Sequence, residues 1–166
     1  MNKIALFYFF LACILTSFAQ TNKFESLLQR NLKHSVPTFK VADLDVLDTY
    51  LIFDAREKIE YQTSHLKNAR HIGYNYFAID SVLQKHSDRS KKIIVYCSIG
   101  VRSELIGEKL LNAGYENVYN LYGGIFEWKN QSREVIDKDG AITERVHTYS
   151  KELSKWLTNG IKVYER

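Results

Sequence analysis

Short apolar runs alternate with amphipathic segments through the middle of the chain. The apolar runs have the length and composition of strands and lie at residues 39–41, 50–53, 69–72, 93–96 and 118–121. Between them, the segments with helical character are residues 57–61, 78–86, 103–113 and 125–129. Strands that alternate with helices predict an α/β fold, with a central parallel sheet covered by helices on both faces.

The C-terminal part of the chain departs from this pattern. Two β-prone runs flank an acidic stretch that ends in Asp139 and Gly140, and an Asp-Gly pair in that position predicts a hairpin. Residues 147–166 follow with a helix-like spacing of apolar positions. We therefore predict a β-hairpin and helix extension, residues 131–166, packed on an α/β domain of residues 36–130.

The first residues of the chain have the layout of a Sec signal peptide. A short basic start precedes an apolar run at residues 4–15, and the small residues Ser17 and Ala19 follow it. A helix of that length spans about 18 Å, which is short of the ~30 Å hydrocarbon core of a bilayer. We therefore predict a signal peptide at residues 1–19, cleaved after Ala19, and a periplasmic or secreted protein that has no membrane segment after cleavage.

Two further predictions concern the same end of the chain. Cys13 is an alternative lipidation site, because Leu11-Ala12-Cys13 loosely resembles a lipobox. The apolar run continues past Cys13 to Leu15, whereas a lipobox closes such a run, so cleavage after Ala19 is favoured. Residues 20–35 are predicted to form an amphipathic N-terminal helix of the mature chain.

The composition is that of an ordinary globular domain. The chain has 166 residues, of which 45% are hydrophobic and 25% charged, with one proline and two cysteines. These values exclude a disordered chain and a disulfide-stapled miniprotein. The net charge of +4 is small and dispersed, and it does not favour a nucleic-acid partner.

The cysteine count directs attention to one residue. Removal of the predicted signal peptide takes Cys13 with it and leaves Cys97 as the single cysteine of the mature chain. An exported protein with one cysteine cannot form an internal disulfide. Cys97 is therefore either an inert buried thiol or a reactive one.

The sequence around Cys97 favours the reactive alternative. A loop joins the end of a buried strand to the start of a helix, and it consists of Cys97, Ser98, Ile99, Gly100, Val101, Arg102 and Ser103. Its backbone N–H groups and the positive end of the helix favour a thiolate, as does Arg102 if its guanidinium faces inward. Ser103 is a candidate helix cap, and Gly100 permits a backbone conformation closed to most residues. The loop is therefore predicted to hold an anion, including a persulfide on Cys97.

Four ordered motifs, one of which is this loop, resemble a single-domain rhodanese over about residues 36–130. The motifs are Leu51-Ile52-Phe53-Asp54-Ala55-Arg56-Glu57 with Glu60-Tyr61, then Ser64-His65-Leu66 with Asn68-Ala69, then the Cys97–Ser103 loop, and finally Leu121 with Gly123-Gly124 and Trp128. The resemblance implies a cysteine that accepts sulfane sulfur as a persulfide and passes it to an acceptor thiol or cyanide, without an external cofactor. It also implies that Asp54 and Arg56 brace the loop by hydrogen bonds.

The histidines of the chain are candidates for a catalytic base and for metal ligands. His65 is a candidate base for Cys97, but a hydrogen-bonded turn histidine is favoured, because the loop alone can activate the thiol. The other histidines show no paired ligand spacing, so no metal site is expected.

The sequence leaves alternatives open for the sulfur donor and for the type of reaction at Cys97. Thiosulfate and polysulfides are the expected donors, although Ser98 and Ile99 supply no cation for thiosulfate. Phosphatase or arsenate reductase chemistry is disfavoured, because four residues separate Cys97 from Arg102, whereas the phosphatases that share the fold have five. A non-catalytic periplasmic sulfur carrier, with residues 133–166 docking a protein partner, remains the second hypothesis.

Overall fold

The computed structural model of the protein describes residues 6, 8, 23–43 and 47–164. Apart from Leu6 and Tyr8, the predicted signal peptide lies outside the described residues, as do its cleavage site after Ala19 and the lipidation candidate Cys13. In the described part of the chain, no helix combines the length and apolar character needed to cross a membrane. Signal peptide, export and lipidation therefore stay predictions.

The chain separates into two compact units. The first ends at Lys33, and residues 23–31 form its helix α1. The helix covers most of the segment that the apolar spacing predicted as helical. The second unit, His34–Arg166, contains the sheet and all residues of the candidate site.

A five-stranded parallel sheet forms the centre of the second unit. Its strands are β1 (Thr38–Phe39), β2 (Leu51–Asp54), β3 (Arg70–His71), β4 (Lys92–Tyr96) and β5 (Asn117–Leu121), in the order β1-β5-β4-β2-β3. The helices that follow these strands are α2 (Lys58–Thr63), α3 (Ile79–Lys85), α4 (Val101–Asn112) and α5 (Gly124–Asn130). The predicted α/β fold with a central parallel sheet is confirmed.

The central strand β4 corresponds to the apolar run at residues 93–96, which could be recognised from the sequence. Its residues 93–96 are fully buried, as expected for a strand covered on both faces. It pairs in parallel with β2, so that Phe53 lies opposite Val95 and Asp54 opposite Tyr96. Because the carboxyl ends of parallel strands share one edge of the sheet, Asp54 and Cys97 come out at the same edge.

The C-terminal extension contains the predicted hairpin and a second strand pair that the sequence did not indicate. Strands β6 (Val135–Ile136) and β7 (Ile142–Thr143) are antiparallel and form the hairpin. Strands β8 (Arg145–His147) and β9 (Ile161–Val163) pair in parallel. β8 also packs against α2, which places the extension beside the carboxyl edge of the sheet.

The helix-like segment predicted within residues 147–166 is much shorter than its apolar spacing suggested and is confined to the 3-10 turn Leu153–Trp156. Up to residue 164, where the described part of the chain ends, this 3-10 turn is the only helical element of the segment, and β9 follows it. Gly160 has a φ of +109°, a left-handed conformation that reverses the chain and is incompatible with a continuing helix. The β-branched residues Ile161 and Val163 then favour an extended strand over a helical turn.

Candidate active site

Cys97 lies directly after the last residue of β4, at the carboxyl edge of the sheet. Its side chain is almost fully buried, and the Gly100 backbone N–H donates a hydrogen bond to its Sγ at 3.1 Å. Gly100 has a φ of +109° and forms the N-cap of helix α4. This left-handed conformation, which glycine adopts without steric cost, turns the backbone so that an N–H points at the sulfur.

Ser103 does not cap the helix as the sequence suggested. Helix α4 begins at Val101, because Gly100 already makes the turn, and Ser103 is therefore an internal residue of the first turn. Its hydroxyl lies 2.7 Å from Asn120 Oδ1 and 3.1 Å from the Gly100 carbonyl oxygen, to which the Asn120 amide also donates at 3.0 Å. Ser103 thus braces the loop against strand β5, and Asn120 belongs to the support of the loop.

Helix α5 holds the other side of the loop. The Ile125 N–H donates to the Cys97 carbonyl oxygen at 2.9 Å, and the Phe126 N–H donates to that of Ser98 at 3.2 Å. Gly124 permits this close approach: a Cβ there would lie 2.7 Å from the Ser98 carbonyl oxygen and closer still to that of Cys97. The Gly123-Gly124 motif therefore fixes the path of the loop.

Arg102 is paired with a carboxylate that the sequence analysis did not select as a site residue. Its Nη1 and Nη2 donate to the two oxygens of Glu60 at 2.7 and 2.8 Å, and Nη2 also lies 3.0 Å from Ser98 Oγ. Burial opposes the charge of Arg102, but the hydrogen bonds to Glu60 and the negative charges of Cys97 and Glu60 outweigh it. The pKa of Arg102 is therefore raised above its ordinary value.

Glu60 lies in helix α2 with only 1% of its surface exposed. It takes part in a capping box with Glu57 and accepts from the Glu57 N–H at 3.0 Å and from Ser98 Oγ at 3.1 Å. Burial would raise the pKa of this carboxyl group, but the hydrogen bond and charge of Arg102 and the charge of Arg56 lower it overall. The sequence signal was present, since Glu60 belongs to the first motif.

Asp54 and Arg56 form a fully buried ion pair next to the loop. Arg56 Nη2 binds Asp54 Oδ2 at 2.6 Å and the Ser64 carbonyl oxygen at 2.6 Å. The Tyr96 hydroxyl donates to the same Asp54 oxygen at 2.6 Å and accepts from the Leu66 N–H at 3.1 Å. The pair thus ties the end of β2 to the segment after α2 and to β4. None of the hydrogen bonds described for Asp54 and Arg56 reaches residues 97–103, so their bracing of the loop itself stays a prediction.

His65 lies in the turn after α2. Its Nδ1 is 3.0 Å from the Tyr61 carbonyl oxygen, and its ring stacks on the Tyr61 ring with centroids 3.9 Å apart. Its backbone pairs with Ile136 of the hairpin. Burial is the main reason that the pKa of His65 is lowered. No hydrogen bond links it to Cys97 in the described part of the chain, so the geometry corresponds to the turn histidine rather than to a base.

The remaining loop residues line the same turn. Ser98 and Ile99 are buried, and Val101, the first residue of α4, is half-buried. Ser98 supplies a hydroxyl to the pair of Glu60 and Arg102, whereas Ile99 and Val101 supply apolar surface. Among the described residues, no group of three or more histidine, cysteine, aspartate or glutamate side chains has the arrangement of a metal site.

One residue at the site comes from the C-terminal extension. The ring centroid of Tyr149 lies 5.0 Å from Cζ of Arg102, a cation–π distance. Tyr149 follows β8 and is well exposed. No motif pointed to it, because its position depends on how β8 packs against α2.

The chemistry available here is that of a buried cysteine in a loop that can stabilise negative charge. The Gly100 N–H donates to Cys97 Sγ, and the positive end of helix α4, which begins one residue later, favours negative charge there. Fold and site together define an α/β domain with a buried cysteine in a strand-to-helix turn at the carboxyl edge of a parallel sheet.

Comparison with known sequences shows which family this is. The sequence profile described as Rhodanese-like domain matches residues 41–131, more than half of the chain. A tRNA uridine(34) hydroxylase of Erwinia tasmaniensis is 36% identical over 104 residues, which cover 57% of this chain and 29% of that protein. A protein of the same name from Yersinia pestis is 32% identical over 111 residues, covering 63% of this chain and 30% of that protein. The chain thus spans less than a third of the length of these curated relatives.

Solved structures agree with the profile. A thiosulfate sulfurtransferase from Pseudomonas aeruginosa has a TM-score of 0.57 at 25% identity, covering 75% of this chain and 24% of that chain. A rhodanese-related protein from Thermoplasma volcanium has a TM-score of 0.50 at 28% identity, covering 60% of this chain and 97% of that one. The chain belongs to the rhodanese-like domain family.

Proposed function

We propose that the protein is an exported sulfurtransferase that carries sulfane sulfur as a persulfide on Cys97. The observation that carries this proposal is the position of Cys97 Sγ, buried in the loop and bound by the Gly100 N–H at 3.1 Å. A terminal sulfur added to Sγ would extend into a loop that supplies the Gly100 N–H and the positive end of helix α4, which suits a persulfide anion.

The reaction consists of two displacements. Cys97 thiolate attacks the outer sulfur of thiosulfate or of a polysulfide; a new S–S bond forms, and the S–S bond of the donor breaks. Its electron pair leaves with sulfite or with the shortened polysulfide. An acceptor thiolate or cyanide then attacks the outer sulfur of the persulfide, and the Cys97 thiolate is regenerated. The loop N–H groups and Arg102 stabilise the negative charge in both steps.

Intact mass spectrometry tests the proposal directly. After incubation with thiosulfate or an inorganic polysulfide, the mature protein should gain the mass of one sulfur atom, and Cys97→Ser should abolish the gain. Cyanide should then remove the sulfur and yield thiocyanate. Failure of both donors to load the wild-type protein would refute sulfur transfer.

Export is tested on the same chain. Expression of the full sequence followed by cell fractionation should recover the protein outside the cytoplasm, with Gln20 as its N-terminal residue. Recovery with Met1 intact in the cytoplasm would contradict the proposed signal peptide. A lipidated Cys13 at the N-terminus would instead establish the lipoprotein alternative.

The other candidate functions predict different outcomes. A sulfur carrier would load one sulfur on Cys97 but release it only to a protein partner, and deletion of residues 133–166 would abolish that transfer. A phosphatase would hydrolyse an aryl phosphate in a Cys97-dependent reaction. The identity with tRNA uridine(34) hydroxylases adds hydroxylation of tRNA as a candidate, although the match covers less than a third of those proteins. Modification of tRNA by the isolated protein would favour it over sulfur transfer.

A further inference from the structure

The C-terminal extension brings an aromatic residue onto the cation of the site. The ring of Tyr149 covers the Arg102 guanidinium with 5.0 Å between the ring centroid and Cζ. The side chain of Arg102 is only 17% exposed, whereas Tyr149 is 61% exposed. Tyr149 therefore lies on the solvent side of Arg102 and is the outermost of these two groups.

The backbone of Tyr149 is held in an unusual conformation. Its φ of +63° lies in the left-handed region, which is costly for a bulky aromatic residue. The Tyr149 N–H donates to Nδ1 of His147 at 3.1 Å, and the adjacent Thr148 N–H donates to the Val163 carbonyl oxygen at 2.6 Å. The strand pair of β8 and β9 thus maintains a strained turn that directs the ring onto Arg102.

Arg102 retains hydrogen-bonding capacity in this arrangement. A guanidinium has five N–H donors. Three contacts are made by Nη1 and Nη2, two to Glu60 and one to Ser98. In the described part of the chain, neither Nε nor the second N–H of Nη1 has an acceptor, so two donors remain for a ligand.

We propose that Tyr149 is a positioning residue of the sulfur-transfer site, which fixes the plane of the Arg102 guanidinium so that its remaining Nε–H donor binds the oxyanion of a donor such as thiosulfate. The inference rests on the proposed function, and it assigns the C-terminal extension to the active site. In this arrangement Arg102 is the cation for thiosulfate that Ser98 and Ile99 do not provide. Donors without an oxyanion, such as dimethyl trisulfide, do not use this contact.

Two substitutions of Tyr149 distinguish the effect of its aromatic ring from the effect of its left-handed backbone conformation. Tyr149→Phe keeps the ring. Tyr149→Asn removes it, while asparagine tolerates the left-handed backbone. Tyr164→Asn is the matched control, because Tyr164 is another exposed tyrosine of the extension and makes no described contact with Arg102.

We expect Tyr149→Asn to raise the KM for thiosulfate about two- to fivefold, the range of an exposed cation–π contact, with little change in kcat. The rate with dimethyl trisulfide should stay the same, and Tyr149→Phe and Tyr164→Asn should behave as the wild type. An unchanged KM in Tyr149→Asn would overturn the inference. So would an equal loss with the uncharged donor, or a failure of Tyr149→Phe to restore the wild-type KM.

A second readout does not depend on turnover. The Nε–H NMR signal of Arg102, assigned by its loss in Arg102→Lys, should carry a ring-current shift in the wild type and in Tyr149→Phe, and should respond to added sulfate. Both effects should disappear in Tyr149→Asn. If the wild type forms no persulfide, the proposed function fails, yet these signals still decide the positioning role: identical spectra in the wild type and Tyr149→Asn would overturn it.

Discussion

Arg102 and Glu60 form a two-point ion pair that joins the start of helix α4 to helix α2. The Nη1–Oε2 and Nη2–Oε1 distances are 2.7 and 2.8 Å, and Glu60 is almost fully buried. Such fork-to-fork contacts fix orientation as well as charge. The pair therefore sets the position of the one loop cation near Cys97 Sγ among the described residues.

Glu60→Gln should destabilise the protein by about 1–3 kcal/mol, because it leaves the largely buried Arg102 without its counter-charge. The rate of persulfide formation on Cys97 should fall as well, since Arg102 is freed from its fixed position. Urea unfolding and the rate of mass gain with thiosulfate measure the two effects. Glu116→Gln, an exposed glutamate, is the control and should change neither.

Tyr96→Phe should cost about 1–3 kcal/mol of stability, because its hydroxyl is a buried partner for two groups. It donates to Asp54 Oδ2 at 2.6 Å and accepts from the Leu66 N–H at 3.1 Å. Tyr119→Phe is the matched control: its ring packs edge-on against Phe39, but its hydroxyl makes no described hydrogen bond. Equal unfolding free energies for the two variants would show that the Tyr96 hydroxyl does not brace the Asp54–Arg56 pair.

Because the pKa of His65 is lowered in the folded protein, we expect the protein to lose stability on mild acidification. Burial is the main cause that lowers its pKa from 6.5, so the folded state binds a proton more weakly than the unfolded chain does. Stability should therefore be fully present above about pH 6.5 and should fall as the pH drops below it. The pKa of His86 is lowered in the same way, by burial and by Arg70 and Lys85, and it contributes to the same pH window.

Unfolding free energies at about pH 7.5 and about pH 5.5 test this behaviour. His65→Gln and His86→Gln should each reduce the difference between the two pH values, and the double variant should reduce it further. A wild-type protein that is equally stable at both pH values would contradict the sign of both shifts.

The fold could be predicted from the sequence where apolar periodicity and strand burial agree. The run at residues 93–96 became the central strand β4, and the Asp-Gly pair became the hairpin of β6 and β7. The tail could not be predicted, because the spacing of Leu153, Trp156 and Leu157 also fits a single 3-10 turn. The strand partner of β9 lies on the far side of that turn, at β8.

In the candidate site, likewise, some residues could be predicted from a local motif and others could not. The loop around Cys97 is continuous in sequence, so its glycine and its position after β4 could be recognised locally. The partner of Arg102 is 42 residues away in the chain, so the loop sequence could not tell which way the guanidinium faces or that it binds Glu60. Tyr149 reaches the site only through the packing of β8 against α2, which no local pattern encodes.

Gly124→Ala should disrupt the loop more severely than its size suggests. The new Cβ would lie 2.7 Å from the Ser98 carbonyl oxygen and nearer still to that of Cys97, and both belong to backbone that cannot rotate away. The φ of +57° at Gly124 adds a backbone cost of about 1–2 kcal/mol for any residue with a Cβ. The loop must move away from α5, and a displacement of about 1 Å can reduce a reaction rate about 100-fold.

Gly114→Ala separates these two contributions. Gly114 has a φ of +92°, but a Cβ there has no atom within 4 Å, so only the backbone cost applies. Both variants should therefore lose stability, measured by urea unfolding, whereas only Gly124→Ala should lose persulfide formation on Cys97, measured by intact mass against time. Gly124→Ala with the loading rate of Gly114→Ala would show that the contact of α5 with the carbonyl oxygens of Cys97 and Ser98 does not set the geometry of the loop.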